Sequence, residues 1–549
     1  MSSNSHSSGL RRFLGPALVI AFALWVAHKL ISMGPSGEQP TLIVSALLFT
    51  AFGLLHGLHM LGWKRALTFF ATCSVLSWIA ETHSIVSGNV GDYYYTDVLG
   101  PKLGQVPYVI PLTWFLMLYP AYVIANLVVT KAPTLVRNSY AQILWLSALT
   151  AVIMTAWDLS LDPYMSGKVG AWIWTDGGPY FGVPFANYYG WVTVAFGIIL
   201  VYRLIERFLP LEPMGETGKW IAAMPVAIYA FNMISDLFVG DPIATRLIAV
   251  FAMGIASLAA FARLWAGAPE DPDPQPPAAP GAMERAVLAI GVVLGLVVLA
   301  FHLWPVLNNE RIPFTQLVPV FAAFSFVHAA YVLGWRRAGA LAAIAMPLSL
   351  LSELVGTKSG LIFGKYYYTD VLGYKLFGEV PWVIPLTWFL MMYPSYLIAN
   401  FIVFGKPSRT LDSLPSLKVT TFTAFLTGMI MTAWDLTLDP YMVGFDKAWV
   451  WEDGGPYFGI PFHNYIGWVG TTFVVMWLYR MAERRIPWEP MGKLSRPLLF
   501  LPLATYAFMS IGDVVLGHPE ATLVISPFVM GIPFLLGLSM LWQWQPKKT

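Results

Sequence analysis

The stretch MTAWDLSLDPYM, residues 154–165, recurs as MTAWDLTLDPYM at residues 431–442. Each copy ends an apolar run of about 20 residues, which is the length that a helix needs to cross the hydrocarbon core of a bilayer. Each copy also places two aspartates four positions apart near the end of that run. The two stretches therefore predict a duplicated membrane helix that carries a pair of acidic side chains.

Four more motifs recur in the same order in the two halves of the chain. They are YYYTDVLG at 93–100 and 366–373, IPLTWFLM at 110–117 and 384–391, DGGPYFG at 176–182 and 453–459, and EPMG at 212–215 and 489–492. Self-similarity of this kind indicates a tandem duplication. The segment AGAPEDPDPQPPAAPGAM is rich in proline, which is typical of an extended spacer. We predict a first membrane repeat at 1–265, a Pro-rich linker at 266–283 and a second membrane repeat at 284–549.

The composition places the whole chain in a membrane. Of its 549 residues, 57% are hydrophobic and 11% are charged, and the mean hydropathy is +0.63. Soluble proteins carry about 25% charged residues, and disordered ones combine low hydrophobicity with high charge, so both classes are excluded. The net charge of +2 argues against a nucleic-acid partner. Cys73 is the only cysteine, which excludes an internal disulfide.

Hydropathy predicts an all-α fold, a polytopic membrane helical bundle of two parallel tandem repeats with about seven to eight transmembrane helices each. The predicted spans of the first repeat lie near 14–33, 41–61, 66–82, 107–130, 139–158, 185–208, 219–238 and 244–266. Those of the second repeat lie near 285–305, 314–334, 338–356, 381–404, 417–436, 462–480, 497–516 and 521–543.

Lysine and arginine are more frequent on one side of these spans than on the other. The positive-inside rule then places both termini in the cytoplasm, and we expect an integral protein of the cell inner membrane. An even number of spans in each half makes the two repeats parallel. The apolar run after Arg12 ends without a small-residue cleavage site, so we expect a retained first helix rather than a cleaved signal peptide.

Residues that recur in both halves are the candidates for function. Ionisable side chains at membrane depth are costly and are functional candidates by default, although such acids also cap loops or pair across a bundle. The recurring acids that we predict to be catalytic are Glu81 and Glu353, Asp97 and Asp370, Asp158 and Asp435, Asp162 and Asp439, and Asp176 and Asp453. Asp236 and Asp513 also recur.

The pair Asp158 and Asp162 is the sharpest of these clusters. Residues at positions i and i+4 of a helix lie on one face, about 5–6 Å apart. A neighbouring carboxylate and the negative end of the helix dipole both favour a retained proton. One member is then predicted to act as an acid and the other to orient water, in the manner of paired carboxylates with separated acidities. The alternative is an Asp cap beside a proline that stops the helix.

Aromatic side chains surround the recurring acids. Interfacial Trp and Tyr belts are ordinary in membrane proteins, but aromatic faces also stabilise cations. Acids among aromatic walls in an apolar site would suit protonation of a carbon–carbon double bond. The residues predicted to bind substrate are Trp114, Trp157, Tyr164, Trp172, Trp174 and Trp191, together with Trp388, Trp434, Tyr441, Trp449, Trp451 and Trp468.

Cofactor motifs are not found in the sequence. No set of histidines recurs at the spacing of metal ligands, which argues against a di-iron desaturase or hydroxylase. There is neither a Walker loop nor a dinucleotide-binding fingerprint. We therefore predict no metal and no cofactor.

The motifs YxYTDxLG, PLxWF, WDLxLDP and WxWxxGxYFGVPxxNxxGW resemble the CruF-type carotenoid hydratases. This family of integral-membrane carotenoid biosynthesis proteins includes the γ-carotene and bisanhydrobacterioruberin hydratases. The resemblance covers roughly 30–265 and 300–540. It implies cofactor-free addition of water to the terminal 1,2 double bond of an acyclic carotenoid end, which gives a tertiary alcohol. It also implies lycopene or γ-carotene-like substrates, water, membrane lipid and other carotenoid-pathway enzymes as partners. The family is normally a single copy, so the duplication is a departure.

Three other functions remain open at this point. A carotenoid end-group cyclase shares the protonation step and differs in what quenches the cation. A membrane prenyltransferase would use the two aspartates to hold a Mg²⁺ diphosphate, but such sites also need basic side chains, which are few on the acidic side. A lipid or isoprenoid transporter is the non-enzymatic alternative, because parallel repeats are a known transporter plan.

Overall fold

The computed structural model describes residues 4–33, 42–135, 139–266 and 281–545. The chain forms two compact units, Met1–Leu264 and Trp265–Thr549. Most of the predicted linker, residues 267–280, lies outside the described residues. Its last two residues, Ala282 and Met283, begin a helix.

Long helices joined by short connections build the first unit. They are α1 (Asn4–Ser32), α2 (Leu42–Leu61), α3 (Trp63–Ser87), α4 (Val109–Thr130), α5 (Tyr140–Asp162), α6 (Phe185–Glu206), α7 (Lys219–Val239) and α8 (Ala244–Trp265). The short strands are β1 (Tyr93–Tyr95), β2 (Lys102–Leu103), β3 (Val106–Pro107) and β4 (Trp172–Trp174). A π-helix, Pro163–Val169, continues α5.

The second unit repeats this order of elements. Its helices are α9 (Ala282–Asn308), α10 (Phe314–Leu333), α11 (Trp335–Ser359), α12 (Val383–Phe404), α13 (Leu417–Gly444), α14 (Phe462–Glu483), α15 (Arg496–Leu516), α16 (Thr522–Val529) and α17 (Gly531–Gln543). Its strands are β5 (Tyr366–Tyr368), β6 (Lys375–Leu376), β7 (Val380–Pro381) and β8 (Trp449–Trp451). A short 3₁₀ helix, Leu411–Ser413, precedes α13.

The predicted all-α membrane bundle is confirmed. In the described residues, 13 helices are long and apolar enough to cross a membrane, counting α16 and α17 as one segment. The predicted spans near 66–82, 417–436 and 462–480 form α3, α13 and α14, which are not among the 13. Polar residues lower the hydropathy of these helices, as the six threonines of α13 illustrate. The orientation across the membrane stays a prediction.

The predicted ends of two spans are wrong, because the helices continue through a proline. The spans near 139–158 and 417–436 extend to Asp162 and Gly444, with Pro163 opening the π-helix that follows α5 and Pro440 inside α13. Proline lacks the N–H that would bond the carbonyl four residues earlier. The hydroxyl of Tyr180 donates to that carbonyl, Leu159 O, at 2.8 Å. In the second unit, Tyr457 donates to Leu436 O at 2.8 Å. These tyrosines come from the DGGPYFG motif, which therefore replaces the missing helix bond.

Short β-ribbons, which the sequence did not predict, join the helices at one end of each unit. Strand β1 pairs antiparallel with β4, so that Tyr93 lies opposite Trp174 and Tyr95 opposite Trp172. The second unit pairs β5 with β8 in the same register. Alternate residues of a strand point to the same face. Each ribbon therefore presents two tyrosines and two tryptophans on one face.

A buried ionic cluster joins α3, α4 and α6 at the end of the unit that lies opposite the β1–β4 ribbon. Glu206 accepts hydrogen bonds from Tyr122 at 2.5 Å and from Arg65 at 3.3 Å, and Arg203 lies 4.0 Å away. The side chains of Arg65, Arg203 and Glu206 are at most 2% exposed. The second unit has the same arrangement around Glu483. Recurrence of the whole cluster indicates that it stabilises the fold of each repeat.

Replacing this carboxylate is expected to destabilise the protein strongly. Glu206→Gln leaves the charges of Arg65 and Arg203 without their anion, and breaking a buried ion pair in this way costs about 3–5 kcal/mol. We expect a lower unfolding temperature in detergent, measured by tryptophan fluorescence. The matched control is Glu212→Gln, since Glu212 makes an exposed pair with Lys64 at 3.6 Å, worth at most about 1 kcal/mol. Equal losses for the two variants would contradict a stabilising role of the cluster.

Candidate active site

Glu81 is held by three hydrogen-bond donors at the end of α3. The hydroxyls of Tyr93 and Tyr95 donate to its Oε2 at 2.6 and 2.9 Å. The indole N–H of Trp114, on α4, donates to its Oε1 at 2.9 Å. Burial, and then the charge of Glu81, raises the pKa of Tyr93 and Tyr95, so both hydroxyls keep their protons and act as donors. Three donors fix the position of the carboxylate.

Asp162 is held by the other strand of the same ribbon. The indole N–H groups of Trp172 and Trp174 donate to its Oδ1 at 2.8 and 3.1 Å. The amide of Asn187, in the first turn of α6, donates to its Oδ2 at 2.6 Å. The ribbon therefore positions Glu81 through β1 and Asp162 through β4. Both carboxylates owe their geometry to a single local structure.

Asp158 lies one helical turn before Asp162 and is fully buried. Asn187 bridges the two aspartates, donating to Asp158 Oδ2 at 3.2 Å. The predicted shared face of the pair is thus present. Asp158 Oδ1 has no hydrogen-bond partner among the described residues. Burying an ionised carboxyl oxygen that has no hydrogen-bond partner costs free energy, so the neutral form of Asp158 fits the site better.

A cavity of about 170 Å³ lies beside these groups in the first unit. Glu81 and Asp162 both line it, whereas Asp158 is not among the lining residues and lies behind Asp162. Trp114 and Trp191 stack at 4.5 Å between ring centroids. The aromatic residues that line the cavity are Phe49, Tyr93, Tyr95, Trp114, Trp157, Trp172, Trp174 and Trp191. The site is thus an aromatic chamber with two carboxylates.

The second unit repeats the cluster with one difference. Glu353 accepts from Tyr366, from Tyr368 at 2.8 Å and from Trp388 at 2.8 Å. Asp439 accepts from Trp449 at 3.1 Å and from Asn464 at 2.5 Å, and Asn464 also donates to Asp435. Asp435 Oδ1, like Asp158 Oδ1, has no hydrogen-bond partner among the described residues. Trp451, however, donates to the backbone of Phe363 rather than to Asp439.

Four of the predicted catalytic acids lie outside these clusters. The carboxylates of Asp97 and Asp370 are fully exposed and pair with Lys102 at 3.1 Å and Lys375 at 2.9 Å. The hydrogen bond and charge of Lys375 hold the pKa of Asp370 below its usual range. Asp176 and Asp453 are exposed as well. All four lie in the loops after β1, β4, β5 and β8, where acids favour turns, so their recurrence reflects loop structure.

Three of the predicted aromatic residues are not among those that line the two carboxylate cavities. Tyr164 is half-buried, with Lys168 at 5.7 Å from its ring. Trp434 and Tyr441 line a cavity of about 630 Å³ in the second unit, which shares Phe314 and Leu438 with the cavity around Glu353 and Asp439. In this cavity Arg311 stacks on Tyr441 at 3.8 Å. The cavity around Glu353 contains Trp388, Trp449, Trp451 and Trp468.

Several cavity residues were not predicted as site residues. Tyr93, Tyr95 and Asn187 recur as Tyr366, Tyr368 and Asn464, so recurrence could have selected them. Lys29 also lines the cavity of the first unit, but it belongs to no recurring motif. Among the described residues, no group of three or more His, Cys, Asp or Glu side chains is placed to hold a metal ion.

Comparison with known proteins also divides the chain into two similar halves. Residues 41–256 and 314–540 each match the family described as carotenoid biosynthesis protein, which confirms the tandem duplication. The bisanhydrobacterioruberin hydratase of Haloarcula japonica is 32% identical over 211 residues, which are 38% of this chain and 64% of the relative. The aligned part thus spans less than two thirds of that relative. No solved structure gives a significant match.

Proposed function

The chain belongs to the family of carotenoid biosynthesis proteins, and we propose that it is a carotenoid hydratase of the membrane. In this proposal it is a hydro-lyase that adds water to the terminal 1,2 double bond of an acyclic carotenoid end, as in lycopene or γ-carotene, and forms a 1-hydroxy carotenoid. The observation that carries the proposal is that Glu81 and Asp162 line one aromatic cavity and are fixed by the same ribbon. The name of the Haloarcula relative supports the reaction type.

The aspartate pair supplies the proton. Two buried carboxyl groups that share one amide donor hold a proton between them, because two neighbouring anions away from water repel strongly. Asp162 faces the cavity, so it delivers that proton to C2, the less substituted carbon of the double bond. The C2–H bond forms, the π bond breaks, and C1 becomes a tertiary cation. Asp158 retains the role of proton-sharing partner behind Asp162.

The cation then forms among indole rings and beside a carboxylate. Aromatic faces attract cations by their quadrupole, and Trp114 and Trp191 present stacked rings to the cavity. Glu81 Oε1 accepts one hydrogen bond among the described residues, from Trp114, which leaves it able to hold a water molecule. The water oxygen bonds to C1 and its proton passes to Glu81. Return of a proton to the aspartate pair completes the cycle, and no redox equivalent is consumed.

Expression in a lycopene-accumulating bacterium tests the proposal. We expect pigments whose mass rises by one water per hydrated end, measured by chromatography and mass spectrometry. The Asp158→Asn/Asp435→Asn double variant is expected to lose this product. A shortened chromophore without a change in mass would favour a cyclase instead. If lycopene is unchanged, a γ-carotene-accumulating host is used next, and unchanged pigment in both hosts would contradict hydration.

A further inference from the structure

A cavity of about 630 Å³ adjoins the carboxylate site of the second unit. It shares Phe314 and Leu438 with the small cavity beside Asp439. Leu438 directly precedes Asp439 on α13, and Trp434 and Met442, one helical turn to either side of Leu438, extend the apolar wall. The two cavities therefore meet at α13, and an end group that leaves the carboxylate site has the larger cavity beside it.

His302 of α9 presents an unpaired hydrogen-bond acceptor to this larger cavity. Its Nδ1 lies 2.7 Å from the carbonyl oxygen of Val298, which can only accept, so Nδ1 carries the proton. Burying a second positive charge next to Arg311 is costly, so the ring is neutral and its Nε2 is an acceptor. His302 is 6% exposed, and its Nε2 is buried with no hydrogen-bond partner among the described residues.

Arg311 presents an unpaired donor to the same cavity. One of its Nη atoms donates to Asp513 at 3.0 Å and to the carbonyl of Gly512 at 3.2 Å. Its Nε–H is buried and finds no acceptor in the part of the chain that the structure describes. Gly512 packs against Pro305, which lies one turn after His302 on α9. His302 and Arg311 therefore lie close together on one wall of the cavity.

The charged groups that line the cavity argue against an anionic ligand. They are the three carboxylates of Glu310, Asp446 and Asp513 and the single guanidinium of Arg311. This excess of negative charge would repel a phosphate or a diphosphate. A hydroxyl group fits the two unpaired atoms instead, because it can accept from the Nε–H of Arg311 and donate to Nε2 of His302.

We propose that the larger cavity of the second repeat binds the hydroxyl-bearing end of a hydrated carotenoid, with His302 and Arg311 as its hydrogen-bond partners. The proposal rests on the proposed hydratase function, for which it names a product site. The tertiary alcohol formed beside Asp439 passes Leu438 to reach this site. A hydrocarbon end offers no partner to the two polar atoms, so the cavity prefers product to substrate. Product bound there keeps its polyene in the second unit and slows the entry of the next substrate.

Inhibition by the product tests this proposal. The assay uses a chain that carries Asp162→Asn, so that only the second repeat hydrates lycopene, and the inhibitor is lycopene already hydrated at both ends. Adding His302→Phe keeps the ring contact with Phe321, at 5.8 Å between centroids, and removes the acceptor. We expect the inhibition constant to rise about fivefold, the usual effect of losing one hydrogen bond. KM for lycopene should stay the same, because its end makes no hydrogen bond.

Two further variants exclude a merely structural effect of the substitution. His302→Gln restores an acceptor and should return the inhibition constant to that of the Asp162→Asn chain. The matched control is His28→Phe, because His28 lies on α1 of the first unit and lines neither the first cavity nor the larger one of the second unit. It should leave the inhibition constant unchanged.

The outcomes separate this proposal from the proposed function. Equal inhibition constants with and without His302→Phe would overturn it and assign the two polar atoms to bound water. Failure of the wild type to hydrate any carotenoid would contradict the hydratase function instead. In that case, the purified protein is offered equal amounts of lycopene and doubly hydrated lycopene. The hydrated form should be retained in excess, and His302→Phe but not His28→Phe should reduce that excess. Equal retention of the two pigments by all three proteins would overturn the product site.

Discussion

Asp162→Asn is expected to reduce hydration by about 10²–10⁴-fold, the usual contribution of a positioned general acid. This variant and those below are made in a chain that carries Asp439→Asn, which serves as the reference, so that only the site of the first repeat is measured. Asparagine has the same shape as aspartate, so its carbonyl oxygen can still accept from Trp172 and Trp174. It cannot share or deliver a proton, however, and the C2–H bond cannot form. The rate is measured as the appearance of 1-hydroxy carotenoid in membranes supplied with an acyclic carotenoid.

The matched control for this variant is Asp97→Asn. Asp97 recurs in the second repeat just as Asp162 does, but its carboxylate is exposed and pairs with Lys102. We expect the control to retain the rate of the reference chain within about twofold, since exposed ion pairs contribute at most about 1 kcal/mol to stability. A rate for Asp162→Asn within tenfold of the reference chain, with the protein folded, would exclude Asp162 as the proton donor.

The arrangement of the helices could be predicted from the sequence, whereas the ribbon that builds the site could not. Hydropathy over about 20 residues is a strong pattern, and the helices lie close to the predicted spans. Strands β1 and β4 have three residues each and are separated by α4 and α5, so no local period identifies them. Their pairing, which holds Glu81 and Asp162, depends on the tertiary fold.

Recurrence within the chain selected acids without distinguishing their roles. Asp97 and Asp162 recur equally, because a residue that a turn requires and a residue that a reaction requires are both retained after a duplication. Burial separates them: Asp162 is buried at the end of α5, whereas the carboxylate of Asp97 is exposed in the loop after β1. The sequence therefore predicted the residues that the two repeats share and not which of them line a cavity.

Glu81→Gln is expected to stop hydration while protonation of the substrate continues. The glutamine amide cannot take a proton from water, so we expect a loss of 1-hydroxy carotenoid of about 10²–10⁴-fold, as for removal of a general base. The aspartate pair of this variant is intact and still forms the tertiary cation. Without activated water, that cation returns a proton to Asp162 and re-forms the double bond.

The two carboxylate variants therefore differ in heavy water. Repeated protonation and deprotonation at C2 should place one deuterium there in the carotenoid recovered from Glu81→Gln, read by mass spectrometry. Asp162→Asn should show neither hydration nor deuterium, because its proton donor is gone. Tyr95→Phe removes one donor to Glu81 and keeps the carboxylate, and loss of such a hydrogen bond costs about 1–3 kcal/mol. The hydration rate of Tyr95→Phe should thus fall by about 5- to 150-fold, which is less than the largest loss expected for Glu81→Gln. Absence of deuterium in Glu81→Gln would instead assign proton delivery to Glu81. Because the ribbon holds both carboxylates against the same cavity, Asp162 would then take the role of activating the water.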